Sequence, residues 1–207
     1  KYLAERGHLD SMFEYASMAE NGVGIERSCE EAVRYYKLAA DLGHFDSMYT
    51  YADMLKFGDG NGDDMKEAAR YYKLAADHGH FNSMFMYAAM NRDGDGIEIN
   101  NEEAAKYYKL AADHGDIDSM YNYAIMAKNG EGVEKNIEEA TKYFKLAADQ
   151  NELESMFEYA KIISNDKKGV DKNNEEASKY FKLAADHGHV QSMFEYALMN
   201  LERKGFK

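Results

Sequence analysis

Proline is absent from this chain, tryptophan is absent with it, and cysteine occurs once, at Cys29. Without proline, helices can run unkinked and turns must rely on other residues. A single cysteine excludes an intrachain disulfide, so packing has to stabilise the fold, and a reducing, cytoplasmic compartment is the simplest setting. No Asn-x-Ser/Thr sequon is present, which agrees with that setting. A basic patch is missing too: 25 Lys and Arg stand against 38 Asp and Glu, a formal charge of −13. The longest basic cluster, Lys167-Lys168, is flanked by Asp166 and Asp171, so no nucleic-acid partner is expected. No apolar run is long enough to span a bilayer and no signal-peptide profile opens the chain, so membrane insertion is not expected. The first residue is Lys1 rather than methionine and aligns with Lys37 inside a helix, which reads as part of a longer protein.

What is present is repetition. Lys-Leu-Ala-Ala-Asp occurs five times, beginning at Lys37, Lys73, Lys109, Lys145 and Lys182, at spacings of 36, 36, 36 and 37 residues. Ser-Met marks the same beat at Ser11, Ser47, Ser83, Ser119, Ser155 and Ser192. A period of this length, with 45% hydrophobic residues and little turn chemistry besides the recurring turns, predicts a solenoid of helices.

Each register holds two helices. In the third, His80 to Arg92 carries Phe81, Met84, Phe85, Tyr87 and Ala88 at the spacing of a helix packed on more than one side, here called helix A. After a turn, Ala104, Tyr107, Tyr108, Ala111 and Ala112 share one face of helix B. Ser28-x-x-Glu31, Asp64-x-x-Glu67, Asn100-x-x-Glu103, Asn136-x-x-Glu139 and Asn173-x-x-Glu176 each fit a capping box at the start of helix B. Gly43, Gly79, Gly115, Asn151 and Gly188 stand where a left-handed residue would end it. The expected architecture is all-α: five full repeats at about 8–43, 44–79, 80–115, 116–151 and 152–188 in one array over 1–207. The end of a helix B precedes them and a terminal helix A, 189–203, follows.

The A-to-B turns read Gly22-Val23-Gly24-Ile25, Gly94-Asp95-Gly96-Ile97 and Gly130-Glu131-Gly132-Val133. With the aromatic pair and Ala-Ala of helix B, they make the chain resemble the Sel1-like repeats, relatives of the tetratricopeptide repeat. The departures are systematic: Ser-Met where Ala-Gln is usual, Tyr87-Ala88 where Leu-Gly is usual, and tyrosine where tryptophan often opens the aromatic pair. The second turn has Asn61 and Gly62 in place of its hydrophobic residue, and the fifth has an extra residue within 163–170. The resemblance implies a right-handed superhelix of antiparallel helix pairs, with helices A lining a concave surface that binds protein.

Several motifs imitate chemistry. His78-Gly79-His80 and His187-Gly188-His189 suggest a metal, but they flank the glycine stop, and Leu42, Gln150, Asp116 and Glu152 stand at equivalent places. Asn91-x-Asp93-x-Asp95-Gly96 with Glu102 approaches a calcium loop, although the glycine and the glutamate are already required by the turn and the cap. Ser164-x-x-Lys167 imitates a serine-nucleophile motif without its companion motifs. The aromatic series Phe13, Tyr49, Phe85, Tyr121, Phe157 and Phe194 reads as core. No catalytic, cofactor or metal site is therefore assigned.

Positions that do not repeat are where recognition can differ from packing. On helix A they are Glu14 and Ser17, Thr50 and Asp53, Met86 and Ala89, Asn122 and Ile125, Glu158 and Lys161, and Glu195 and Leu198. They describe a groove with an apolar middle and mostly acidic flanks, suited to a segment with hydrophobic anchors and basic ends. The expected function is a non-catalytic scaffold or adaptor binding a protein or peptide in that groove. The alternatives are a structural subunit of a larger assembly, joined through uncapped ends, and, less central, a calcium-modulated binding module.

Overall fold

The computed structural model describes residues 2–58, 65–165 and 170–203, and within them every regular element is helical. The chain forms two compact units, Lys1–Ala111 and Ala112–Lys207. In the first, a 3-10 turn (Ala4–Arg6) precedes α1 (Leu9–Asn21), α2 (Cys29–Asp41), α3 (Phe45–Phe57), α4 (Met65–Asp77) and α5 (Phe81–Asp93). Helix α6 (Asn101–Asp113) closes it. The second holds α7 (Ile117–Asn129), α8 (Ile137–Ala148), α9 (Leu153–Ser164), α10 (Val170–Asp186) and α11 (Val190–Arg203). Odd-numbered helices are helices A and even-numbered ones helices B, an α/α solenoid of five full repeats.

Helix B packs by its alanines. Ala75 and Ala111 are fully buried, Ala76 and Ala112 nearly so, and the small side chains let neighbouring helices approach closely. Between them stand paired tyrosines. Tyr87 of α5 meets Tyr107 of α6 edge to face with centroids 5.0 Å apart, and Tyr51–Tyr71, Tyr123–Tyr143 and Tyr159–Tyr180 repeat the arrangement. Phe85, Tyr121 and Phe157 are half-buried against the second helix B aromatic, whereas Phe194 of α11 is 63% exposed and Phe81 is also exposed. The expectation that they are core therefore holds only in part.

The predicted stops are present: Gly43, Gly79, Gly115, Gly188 and Asn151 all have positive φ, Asn151 being the only described non-glycine to do so. The capping boxes form by half. Ser28, Asn100 and Asn136 accept the backbone N–H of Glu31, Glu103 and Glu139. Their own N–H groups, however, go to helix A: Ser28 to the carbonyl of Ala19, Asn100 to that of Asn91 and Asn136 to that of Ala127, each at 2.8 Å. The helix B glutamates are thereby released, and Glu31 accepts from the Tyr15 hydroxyl instead. Asn173 is not a cap: α10 starts at Val170, so Asn173 lies inside it. Asp64, Asn61 and Gly62 lie outside the described residues.

Successive helices B are joined by side chains of Lys-Leu-Ala-Ala-Asp. The hydroxyls of Tyr71, Tyr107, Tyr143 and Tyr180 donate to the carboxylates of Asp41, Asp77, Asp113 and Asp149, one repeat earlier. The motif lysine adds to the joint: Lys37 reaches Glu67 at 2.7 Å and Tyr71 at 3.2 Å, and Lys145 reaches Glu176 at 2.7 Å. Burial pushes the Tyr107 hydroxyl up to about 12, reinforced by its bond to Asp77. Burial alone would raise Asp77, but Tyr107 and Lys73 hold it below the usual carboxylate range. Lys145 does the same for Glu176.

Carboxylates held low contribute stability that is fully present above the ordinary unfolded value near ~4 and is lost as pH falls through their lowered values. Asp77→Asn weakens a charge-assisted bond from the buried Tyr107 hydroxyl and should cost about 1–2 kcal/mol at neutral pH. Thermal melts from pH 7 to pH 3 should show a smaller loss for the variant than for the parent, because it lacks one of the groups that titrate.

Candidate functional site

Every helix A except α1 follows a helix-B stop directly, and the residue between them acts as its cap. The Nδ1 atoms of His8, His44, His80 and His189 accept the backbone N–H of Ser11, Ser47, Ser83 and Ser192 at 3.2–3.3 Å. Asp116 and Glu152 do the same work with a carboxylate. Because Nδ1 accepts an amide proton, the ring proton sits on Nε2, which faces an acid of the preceding helix A: Asp46 lies 3.2 Å from His80 and Glu154 3.2 Å from His189. The serine of Ser-Met is buried beneath this cap, its hydroxyl 2.8 Å from Nδ1 of His44 and of His80. The His-Gly-His pairs are thus helix punctuation: His78 and His187 turn back, their Nδ1 atoms against the carbonyls of Leu74 and Leu183.

The calcium-like loop is also taken up by the fold. Asn91 is buried within α5 and donates to the Tyr87 carbonyl, Asp93 pairs with Arg92, and Asp95 lies 3.4 Å from Lys56. Among the described residues, no cluster of three or more His, Cys, Asp and Glu is arranged to hold a metal. Ser164 donates to the Lys161 carbonyl, and Lys167 lies outside the described residues. Cys29 opens α2 and is exposed.

The helix A strip is best described unit by unit. In the first unit Glu14 is exposed, while Ser17, Thr50, Asp53, Met86 and Ala89 are half-buried. Asp53 accepts from the Tyr72 hydroxyl, and Thr50 donates to the Asp46 carbonyl, so both serve the fold. Met86 and Ala89 on α5 are left as a small apolar surface. In the second unit Asn122 donates to the Asp118 carbonyl, Ile125 is half-buried, and Glu158 accepts from Lys128 at 2.7 Å. Lys161 is exposed beside the Phe157 ring, Glu195 is half-buried and Leu198 is exposed.

Glu158 and Lys161 also border a cleft of about 1020 Å³ between the α7–α8 turn and the end of α9. Ile137, Ile162, Ile163 and Lys135 are among the residues that line it. Strip reasoning on helix A missed this place because half of it belongs to helix B and to a turn. The signal lies among the positions that do not repeat: Lys135 and Ile163 stand where the third repeat has Ile99 and Asn91.

With that geometry in view, the family assignment is direct. A profile of the Sel1 repeat matches residues 9–44, 45–80, 82–116, 117–152 and 153–189, and the chain belongs to the Sel1 repeat family. It is similar in fold to the crystal structure of c5321, a protective antigen present in uropathogenic Escherichia coli strains displaying an SLR fold. That match has a TM-score of 0.88 at 23% identity, over 96% of this chain and 42% of the other. A Sel1 repeat protein from Oxalobacter formigenes is similar with a TM-score of 0.75 at 23% identity, over 92% of this chain and 75% of the other. The chain thus spans less than half of the first of these structures. No individually curated protein sequence matches it. No described helix is long and apolar enough to cross a membrane.

Since the loop carboxylates are engaged by Arg92 and Lys56, adding millimolar calcium should leave the melting temperature unchanged within about 1 °C and produce no binding heat in calorimetry. A reproducible upward shift would restore the calcium reading.

Proposed function

We propose that the chain is a non-catalytic protein-binding scaffold, residing in the cytoplasm, whose helices A present the binding strip. Proteins of the Sel1 repeat family are in general protein-interaction scaffolds, and the chain belongs to that family. The observation that carries the reading is the division of labour within the repeat. Caps, alanines and tyrosine joints recur in register and are consumed by the fold, while Met86 and Ala89 on α5 and, in the other unit, Ile125 on α7 and Leu198 on α11 are apolar where the remaining strip positions are polar. Half-buried apolar side chains on a helix that already has its core partners suit hydrophobic anchors of a partner, and methionine tolerates several shapes. The acidic residues along the strip, Glu14 and Glu195 among them, favour a segment with basic ends.

A second reading has its own observation. Val190, Met193, Phe194 and Leu201 of α11 are 71%, 45%, 63% and 48% exposed, which is a large apolar face. Such a face suits cover by a further helix of the same kind or by a neighbouring subunit of a larger assembly. Light scattering over a concentration series separates the two, since growth in mass with concentration supports assembly and a constant monomer mass supports the strip.

For the scaffold, quantitative affinity purification with the parent and with Met86→Glu gives the test. The variant should lose at least one partner by about tenfold or more while far-UV circular dichroism stays unchanged, because a charge is placed on a contact surface and outside the core. An identical set of partners at identical recovery would reject the strip.

A further inference from the structure

We infer that the histidine caps of α3 and α5 form a proton-sensitive device: acidification from about pH 7.5 to about pH 5.5 frees the first turns of these helices, while α7 and α9 keep theirs. The two pairs differ in one residue of the register. His44 and His80 begin α3 and α5, and Asp116 and Glu152 stand at the same positions before α7 and α9.

Nδ1 of a neutral imidazole has a lone pair to offer, and an imidazolium has none. At His80 it receives the Ser83 amide at 3.3 Å and lies 2.8 Å from the Ser83 hydroxyl; at His44 the distances to Ser47 are 3.2 Å and 2.8 Å. Once Nδ1 is protonated it becomes a donor. The hydroxyl can turn to accept from it, but the amide can only donate and is left facing another donor. Ser47 and Ser83 are fully buried, so water does not readily replace the lost acceptor. The contrast with the carboxylate caps shows what the serine is matched to. Ser119 and Ser155 are buried as deeply, and among the described residues their hydroxyls have no hydrogen-bond partner.

The proton is drawn from the other side of the ring. Nε2 of His80 faces Asp46 at 3.2 Å and Nε2 of His44 faces Asp10 at 3.5 Å, so a second proton turns each contact into an ion pair with the preceding helix A. The two imidazoles are 17% and 16% exposed, which lets protons reach them without unfolding. The rings beside them carry no charge at neutral pH: Tyr49 stands 5.3 Å from His80 and Phe13 5.3 Å from His44, and burial pushes the Tyr49 hydroxyl up to about 12. His78 shares the groove lined by His44, Asp46 and His80, and it is stacked on Phe45 with centroids 4.9 Å apart. Protonation thus exchanges an amide cap for a tie to the previous repeat, and the helix start loosens while its anchor holds. A carboxylate cap has no such transition. Asp116 accepts the Ser119 amide at 2.7 Å and Glu152 accepts that of Ser155, and a carboxylate remains an acceptor down to about pH 4.

Amide exchange followed by NMR on the whole chain reads the caps one at a time, as protection factors corrected for the intrinsic effect of pH on exchange. Between about pH 7.5 and about pH 5.5, protection at Ser47 and Ser83 should fall about tenfold or more, and at Ser119 and Ser155 it should stay constant. His80→Asp, which copies the cap at Asp116, should abolish the fall at Ser83 and leave that at Ser47. Asp46→Asn should move the fall at Ser83 to lower pH, because it removes the charge that draws the proton. Equal changes at all four serines, or an undiminished fall at Ser83 in His80→Asp, would overturn the inference. Should His80→Asp not fold, the imidazole nitrogen shifts of the parent decide. Protonation of His80 Nδ1 over the same pH interval as the loss of protection at Ser83 supports the device, and protonation without that loss rejects it.

Discussion

The bond on which the rest of this structure depends runs from a tyrosine hydroxyl to the aspartate that ends the previous helix B. Alanine packing is permissive: it lets helices come close without fixing how far one slides along the next. A buried hydroxyl aimed at one carboxylate removes that freedom, because losing the bond would leave the donor unpaired in a place water cannot easily reach. The lysine one turn before each aspartate neutralises the charge that the joint concentrates, as Lys73 does beside Asp77 and Tyr107. Tyrosine at the position where the family often has tryptophan is therefore coupled to the aspartate one repeat earlier, and neither residue would serve without the other.

The second constraint acts between helices A. A histidine or carboxylate caps each one, and the histidine imidazole also faces an acid on its predecessor, so one side chain starts a helix and addresses the repeat before it. Helices B are stitched at one end of the repeat and helices A at the other.

Much of this was legible in the sequence because each rule was stated five times. The helix pairs, the left-handed stops and the first half of each cap follow from local spacing alone. The destinations of side chains across repeats do not, since nothing near Asp77 in sequence announces a tyrosine thirty residues later. The aspartate reads as a residue before a glycine, and the helix B glutamate reads as half of a capping box, until the Asn91 and Ala127 carbonyls are seen to take the amides it was expected to share. Asn173 misled for a related reason: its pattern is intact, but α10 gains a turn at its start, so the same letters sit inside the helix. The helix A strip was legible as a list, while the cleft, made from a turn, a helix start and a helix end, required the three to be placed together.

The tyrosine joint has a consequence for the ancestry of such a chain. Each repeat offers an acceptor at one end and a donor at the other, and both are the same in every register. Cutting out one register of 36 residues, or copying one in, joins an old aspartate to an equivalent tyrosine with no orphan on either side. Genes for such arrays can therefore lengthen and shorten by unequal recombination without passing through a misfolded intermediate. The fifth register, with 37 residues, keeps the same joint from Tyr180 to Asp149, so the joint tolerates an extra residue in the turn between its two helices.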